Sequence, residues 1–130
     1  MRPRFLLALI CSTAAICAGC GDSGDRVVQD SFSSMKDMTN VLKTVKDEAS
    51  AKAATPQLKA IANRMKDIGK RAEALKLTKE QQEALGQKYA SQMMEAMPLA
   101  AEMMRVATLN IQDKDFQDAF KGASDTKPAQ

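Results

Sequence analysis

The stretch LKAIANRMKDIGKRAEAL, residues 58–75, decides the fold. Its apolar side chains Leu58, Ile61, Met65, Ile68, Ala72 and Leu75 follow one another at steps of three and four, which puts all six on one stripe of an α-helix. Lysine, arginine, aspartate and glutamate fill the intervening positions and form the solvated side of the same helix. Beyond Cys20 no run alternates apolar and polar residues as a half-buried strand would. An all-α chain is expected.

Working outward, Val28, Met35, Leu42 and Ala49 recur every seven residues, with Met38 and Val45 between them, and predict a first helix over 26–53. Phe32 widens that stripe. Thr55-Pro56 reads as the break, a threonine cap followed by proline at the first position of a second helix over 56–76. Downstream, Thr78 can cap a third helix over 79–110, with Gln81 reaching back in a capping box. Leu85, Tyr89, Met93, Ala96, Ala100, Met103 and Ala107 define one side of that helix, and Met94, Met97 and Met104 broaden it. Pro98 should kink it, because its ring removes the bond to the Met94 carbonyl. Phe116 and Phe120, four apart, suggest a short helix over 114–121 with Gly122 as its stop and 122–130 as a disordered tail; its docking is left open. Short connections predict an elongated antiparallel three-helix bundle over 26–121, with a possible short fourth helix at its C-terminal end.

The other informative region is the beginning of the chain. Arg2 and Arg4 precede an apolar run from Phe5 to Ile16, and small Ala18 and Gly19 precede Cys20. That is the layout of an export signal. These residues resemble the signal peptide and lipobox of bacterial lipoproteins, over residues 1 to about 22, with Cys17 standing where that family usually has Leu, Val or Ile. The resemblance implies removal of residues 1–19, a lipidated Cys20 carrying a diacylglyceryl thioether and an amide-linked acyl group, and a linker over 20–25. An ordinary secretory signal that happens to contain cysteine is the competing reading. Gly21 follows Cys20 and the first aspartate is Asp22, which favours the outer membrane, facing the periplasm, if the cell is Gram-negative. The implied address is the cell envelope, with the lipid bilayer as one partner through Cys20.

Of three cysteines, Cys11 and Cys17 lie in the part to be removed and Cys20 would be blocked by its lipid, so packing alone must stabilise the mature domain. At about 110 residues that domain can bury one modest core. Nineteen basic and sixteen acidic side chains give a net charge of +3, and loss of Arg2 and Arg4 brings it to +1, so no global electrostatic partner is implied. Lys59, Arg64, Lys66, Lys70, Arg71 and Lys76 nevertheless cluster against only Asp67 and Glu73. A solvated helix face accounts for this cluster; anionic lipid, wall polymer and nucleic acid are the alternatives. Nucleic acid fits least, for want of interleaved aromatics and because of export.

Histidine is absent, the mature chain offers no free thiol, and no serine lies in a GxSxG-like context, so an enzyme is not expected. Neither a catalytic residue nor a small-molecule substrate is predicted. Glu80, Glu83, Glu95 and Glu102 read as solvated helix positions. Nine methionines pose one tempting site, since thioethers suit Cu(I). Methionine at helical spacing also fills irregular cores or makes an adaptable contact surface, which is the expectation here, with no metal or cofactor beyond the covalent lipid.

A shorter resemblance lies at Leu77-Thr78-Lys79-Glu80-Gln81, which is similar to the LTxEQ segment of Spy/CpxP-type periplasmic chaperones. Those families carry the motif twice, and Thr55-Pro56-Gln57-Leu58 does not repeat it. The expected role is a membrane-anchored envelope lipoprotein presenting a non-catalytic helical domain for protein interaction or structural support, with an unknown envelope protein or a second copy as partner. A holdase-like chaperone and a methionine-based Cu(I) carrier are the alternatives.

Overall fold

Ser23 opens the first helix: its hydroxyl accepts the backbone N–H of Arg26 at 3.2 Å, satisfying one of the donors a helix start leaves free. The computed structural model describes residues 23–124, so the signal peptide of residues 1–19 and the lipidation site Cys20 lie outside the described residues. Within them the chain is all-helical. Helix α1 runs Gly24–Thr44, α2 Glu48–Ala74, α3 Lys79–Met93, α4 Met97–Thr108 and α5 Lys114–Ser124, with a 3₁₀ turn at Met94–Ala96 between α3 and α4.

The first break is not at Thr55-Pro56. Helix α1 stops at Thr44, where Val45 turns to extended backbone and its N–H returns to the Leu42 carbonyl. Asp47 then caps α2 in a reciprocal box: its carboxylate accepts the Ser50 N–H at 2.8 Å, and the Ser50 hydroxyl accepts the Asp47 N–H at 3.0 Å. Those bonds hold the Asp47 carboxyl below its ordinary range, the backbone bond from Ser50 contributing most. The expected helices over 26–53 and 56–76 are therefore redrawn, and Ala49, placed on the first stripe by its spacing, is exposed near the start of α2. Pro56 lies inside α2. The carbonyl it leaves without a donor belongs to Lys52, and both residues are exposed, so water replaces the missing bond. Thr55 is buried instead of capping, its hydroxyl donating to the Ala51 carbonyl at 3.0 Å.

Lys76 closes α2 in the left-handed region, at φ 45°. Thr78 caps α3 and exchanges bonds with Gln81, whose side chain accepts the Thr78 N–H at 2.9 Å. The kink expected at Pro98 takes the form of the 3₁₀ turn: the Met97 N–H bonds to Met94, and Pro98 falls in the first turn of α4, where an N–H is dispensable. The expected helix over 79–110 is thus two helices ending at Thr108. Helix α5 continues past Gly122 to Ser124, and Ala123 is buried, so the tail expected over 122–130 begins no earlier than residue 125. The linker expected over 20–25 is shortened likewise, since Gly24 and Asp25 belong to α1.

Ion pairs fix the directions. Arg64 meets Asp37 at 2.7 Å and Arg71 meets Asp30 at 2.8 Å, so α2 runs antiparallel to α1. Lys88 pairs with Asp25 and Arg105 reaches Val45, so the α3–α4 arm runs the same way as α1. Helix α5 returns along α2, with Lys59 and Asp115 at 3.6 Å. The core lies toward the far end of α1, where Met38, Leu42 and Val45 meet Leu58, Ile61 and Val106. Phe116, Ala119 and Ala123 extend it onto α5, whose docking on α2 is the most extensive helix pairing. Leu42 and Leu58 are fully enclosed. The near end of α1 is thinner: Val27, Ile68 and Tyr89 are buried there outside that cluster, and the hydroxyl of fully buried Ser34 has no hydrogen-bond partner.

Candidate functional site

Helix α3 is amphipathic only weakly, and Tyr89 is its one buried residue. It is held against the start of α1 by residues of its own second half. Asp25 accepts bonds from Lys88 Nζ at 2.7 Å and from the Tyr89 hydroxyl at 2.8 Å, both on Oδ1. The Lys88 bond, then the Tyr89 bond, keeps the Asp25 carboxyl below its ordinary range, and the Asp25 bond raises the Lys88 ammonium in return. Tyr89 packs on Phe32 with ring centroids 6.2 Å apart, and the Lys88 ammonium sits 5.4 Å from the Tyr89 ring centre. At Gly24 the two helices approach so closely that a Cβ would lie 2.7 Å from the end of Leu85. A carboxylate kept ionised in this way is a weak base, and its evident effect is to clasp one helix to the other.

Beside the clasp, with Tyr89 in its lining, lies an apolar groove of about 380 Å³. Val28, Phe32 and Met35 of α1 form one wall, and Leu85 and Met93 of α3 the other, with Leu77 at the turn before α3. Along the outer side of the same arm, Met93, Met94, Met97 and Met104 are 62%, 69%, 66% and 72% exposed. Those values decide between the two structural expectations for the methionines. The four are surface, whereas Met38 is core and Met65 and Met103 are partly buried against it.

Half of the basic cluster is engaged in ion pairs between helices. Lys59, Arg64 and Arg71 bridge to Asp115, Asp37 and Asp30 of the neighbouring helices, leaving Lys66, Lys70 and Lys76 on the exposed surface. Among the carboxylates singled out in the sequence, Glu95 lies 3.9 Å from Lys36 and Glu102 lies 2.7 Å from Arg105, while Glu80 and Glu83 are exposed. Thr78 and Gln81 of the LTKEQ segment make the helix-starting box described above. The structure does not gather these glutamates into one site. Among the described residues, no group of three or more His, Cys, Asp or Glu is placed to hold a metal ion, and no helix is long and apolar enough to cross a membrane.

The clasp escaped sequence reasoning, because Asp25 was assigned to the linker and its partners lie more than sixty residues away. No spacing rule joins them. No family model matches the chain, and neither a curated protein nor a solved structure is similar to it.

Proposed function

We propose that this chain is an envelope lipoprotein, lipidated on Cys20, which presents a non-catalytic helical domain for contact with another envelope protein. The observation that carries the reading is the row of exposed methionines, Met93, Met94, Met97 and Met104, along the α3–α4 arm. Large apolar side chains left in water in one stretch mark a contact surface, and unbranched methionine adapts to partners of varied shape. We read α1, α2 and the α3–α4 arm as an elongated antiparallel three-helix bundle that displays this row, with α5 as a brace. The outer membrane, facing the periplasm, is the favoured address. Neither nucleic acid nor a small-molecule substrate belongs to this reading.

Two measurements test it. Cys20→Ser should abolish incorporation of a fatty-acid analogue, because an oxygen cannot form the thioether; undiminished label would remove the anchor. A photo-crosslinker placed at Met97 of the tethered protein should capture a defined envelope protein that the same group at Lys66 does not. Equal capture from both positions would refute the methionine row as the contact surface. A holdase-like chaperone is the second reading, favoured by the same adaptable row, and predicts capture of many unrelated unfolded clients instead of one partner.

A further inference from the structure

The groove between α1 and α3 has few polar residues on its walls, and each already gives a donor to a neighbour within the chain. The Ser31 hydroxyl donates to the Val27 carbonyl at 2.9 Å, the Tyr89 hydroxyl to Asp25, and the Gln82 amide to the Leu77 carbonyl at 3.2 Å. Both walls are helices, whose backbone groups are bonded internally. What remains for a ligand is hydrocarbon: Val28, Phe32, Met35, Leu77, Leu85 and Met93. A peptide or a metabolite would bring donors and acceptors that find no partner there. An alkyl chain brings none.

The position of the groove names the source of that chain. Ser23 caps α1, so only Gly21 and Asp22 separate it from Cys20, and Cys20 lies within about 11 Å of Ser23 at full extension. From Val28 to Met35 the α1 wall runs for roughly 10 Å. Val28, the first groove residue on α1, stands about 8 Å along the helix from Ser23, so the apolar groove begins within the reach of a long alkyl chain on Cys20.

We infer that this groove shelters one acyl chain of the lipid on Cys20 when the protein is outside a bilayer. The inference rests on the lipidation of Cys20 proposed above. Within a membrane the chain already has apolar surroundings and gains nothing from the groove. In water each methylene laid between Phe32 and Leu85 is removed from solvent, so the groove fills when the protein leaves the bilayer.

The test uses the full lipidated chain carrying a metabolically incorporated diazirine fatty acid. It is irradiated in dilute detergent-free buffer and, separately, on phosphatidylethanolamine/phosphatidylglycerol vesicles, and the products are mapped by mass spectrometry. Crosslinks should fall within one chain, on the peptides holding Val28 to Met35 and Leu85 to Met93, and should disappear on vesicles. Gly86→Leu supplies the block: Gly86 lines the groove, a Cβ there meets nothing within 4 Å, and leucine is the better helix former. That variant should keep its helicity and its lipid yet lose the groove crosslinks. Lipid on Cys20 with crosslinks scattered over the surface, joined to a second copy, or unchanged in Gly86→Leu overturns the inference alone. Absence of lipid mass on Cys20 removes the anchor reading and this inference with it.

Discussion

Replacing Arg105 with alanine should be the most damaging single change on the α3–α4 arm. Its guanidinium donates from Nη1 to the Val45 carbonyl at 2.8 Å, from Nη2 to the Leu42 carbonyl at 2.6 Å, and from Nε to Glu102 at 2.7 Å. The two carbonyls lie at the C-terminal end of α1, where a helix lacks internal donors and carries partial negative charge. A hydrogen bond to a charged group contributes about 1.5–3 kcal/mol when sheltered. The Arg105 side chain is 38% exposed, and solvent screening reduces that figure. The pair of carbonyl bonds should therefore contribute roughly 2–3 kcal/mol together, a large share of the ~5–15 kcal/mol by which a domain is stable. Urea unfolding of the full chain, followed by circular dichroism, measures this. Arg105→Met keeps most of the side-chain stem and separates charge from packing, while Arg105→Lys should recover only part of the loss, because a compact ammonium lacks the planar spread of donors with which the guanidinium serves both carbonyls and Glu102. A midpoint for Arg105→Met within error of the wild type would refute the reasoning and show that α4 is held by Val106 and its apolar neighbours alone.

Lys76→Gly should stabilise the fold by about 1 kcal/mol, since φ 45° at the end of α2 is a conformation glycine adopts without a Cβ penalty; unchanged stability would show that the turn relaxes in solution. Tyr89 is the only tyrosine in a chain without tryptophan, so its emission reports the clasp directly. Asp25 has a lowered pKa, so its contribution is complete above 3.8 and is lost as pH falls through its lower folded value, whereas the contribution of Lys88, raised above 10.5, is complete below that value and lost as pH rises further. Emission should stay flat through neutral pH and change at acid pH, and Asp25→Asn should remove the acid change. Met93, Met97 and Met104 replaced together by leucine should leave stability nearly intact, each change costing under about 1.5 kcal/mol, while capture of the partner from this face weakens. Stoichiometric Cu(I) retention that the triple variant abolishes would replace the contact surface with a metal carrier.

The parts of the fold legible in the sequence are those governed by local periodicity. Leu58, Ile61 and Ile68 are buried as their spacing requires, and Thr78 with Gln81 starts α3 in the expected box. The first turn was hidden for two reasons. Ser50 is a less conspicuous capping partner than glutamate or glutamine, and whether Pro56 breaks a helix depends on whether the Lys52 carbonyl can reach water, which tertiary packing decides. The methionine stripe was legible as a stripe but not as a surface. Met97 and Met104 look outward because no helix covers that side of the arm, a fact about neighbours that periodicity does not carry. Helix α5 was visible through Phe116 and Phe120, yet its seat on α2 depends on small residues at the contact, Gly122 beside Ala62, which look unremarkable in the linear chain. The candidate site was least legible, because Asp25 and Lys88 belong to segments brought together only by folding.

The distribution of the core has a mechanical consequence. Tension on a tether at Ser23 pulls along the axis of α1 and is borne first by the thin end, where α3 is clasped through Asp25. The load then passes up α1 to Leu42 and Val45, deep in the core and locked to α4 by Arg105. Extracting α1 in this direction means sliding it past α2 and α4, which strains many contacts at once in shear. Peeling from the opposite end would break them one after another, as a zipper opens. A chain held at its N-terminal end is thus loaded in its stronger direction, with the resistance stored at the far end of α1.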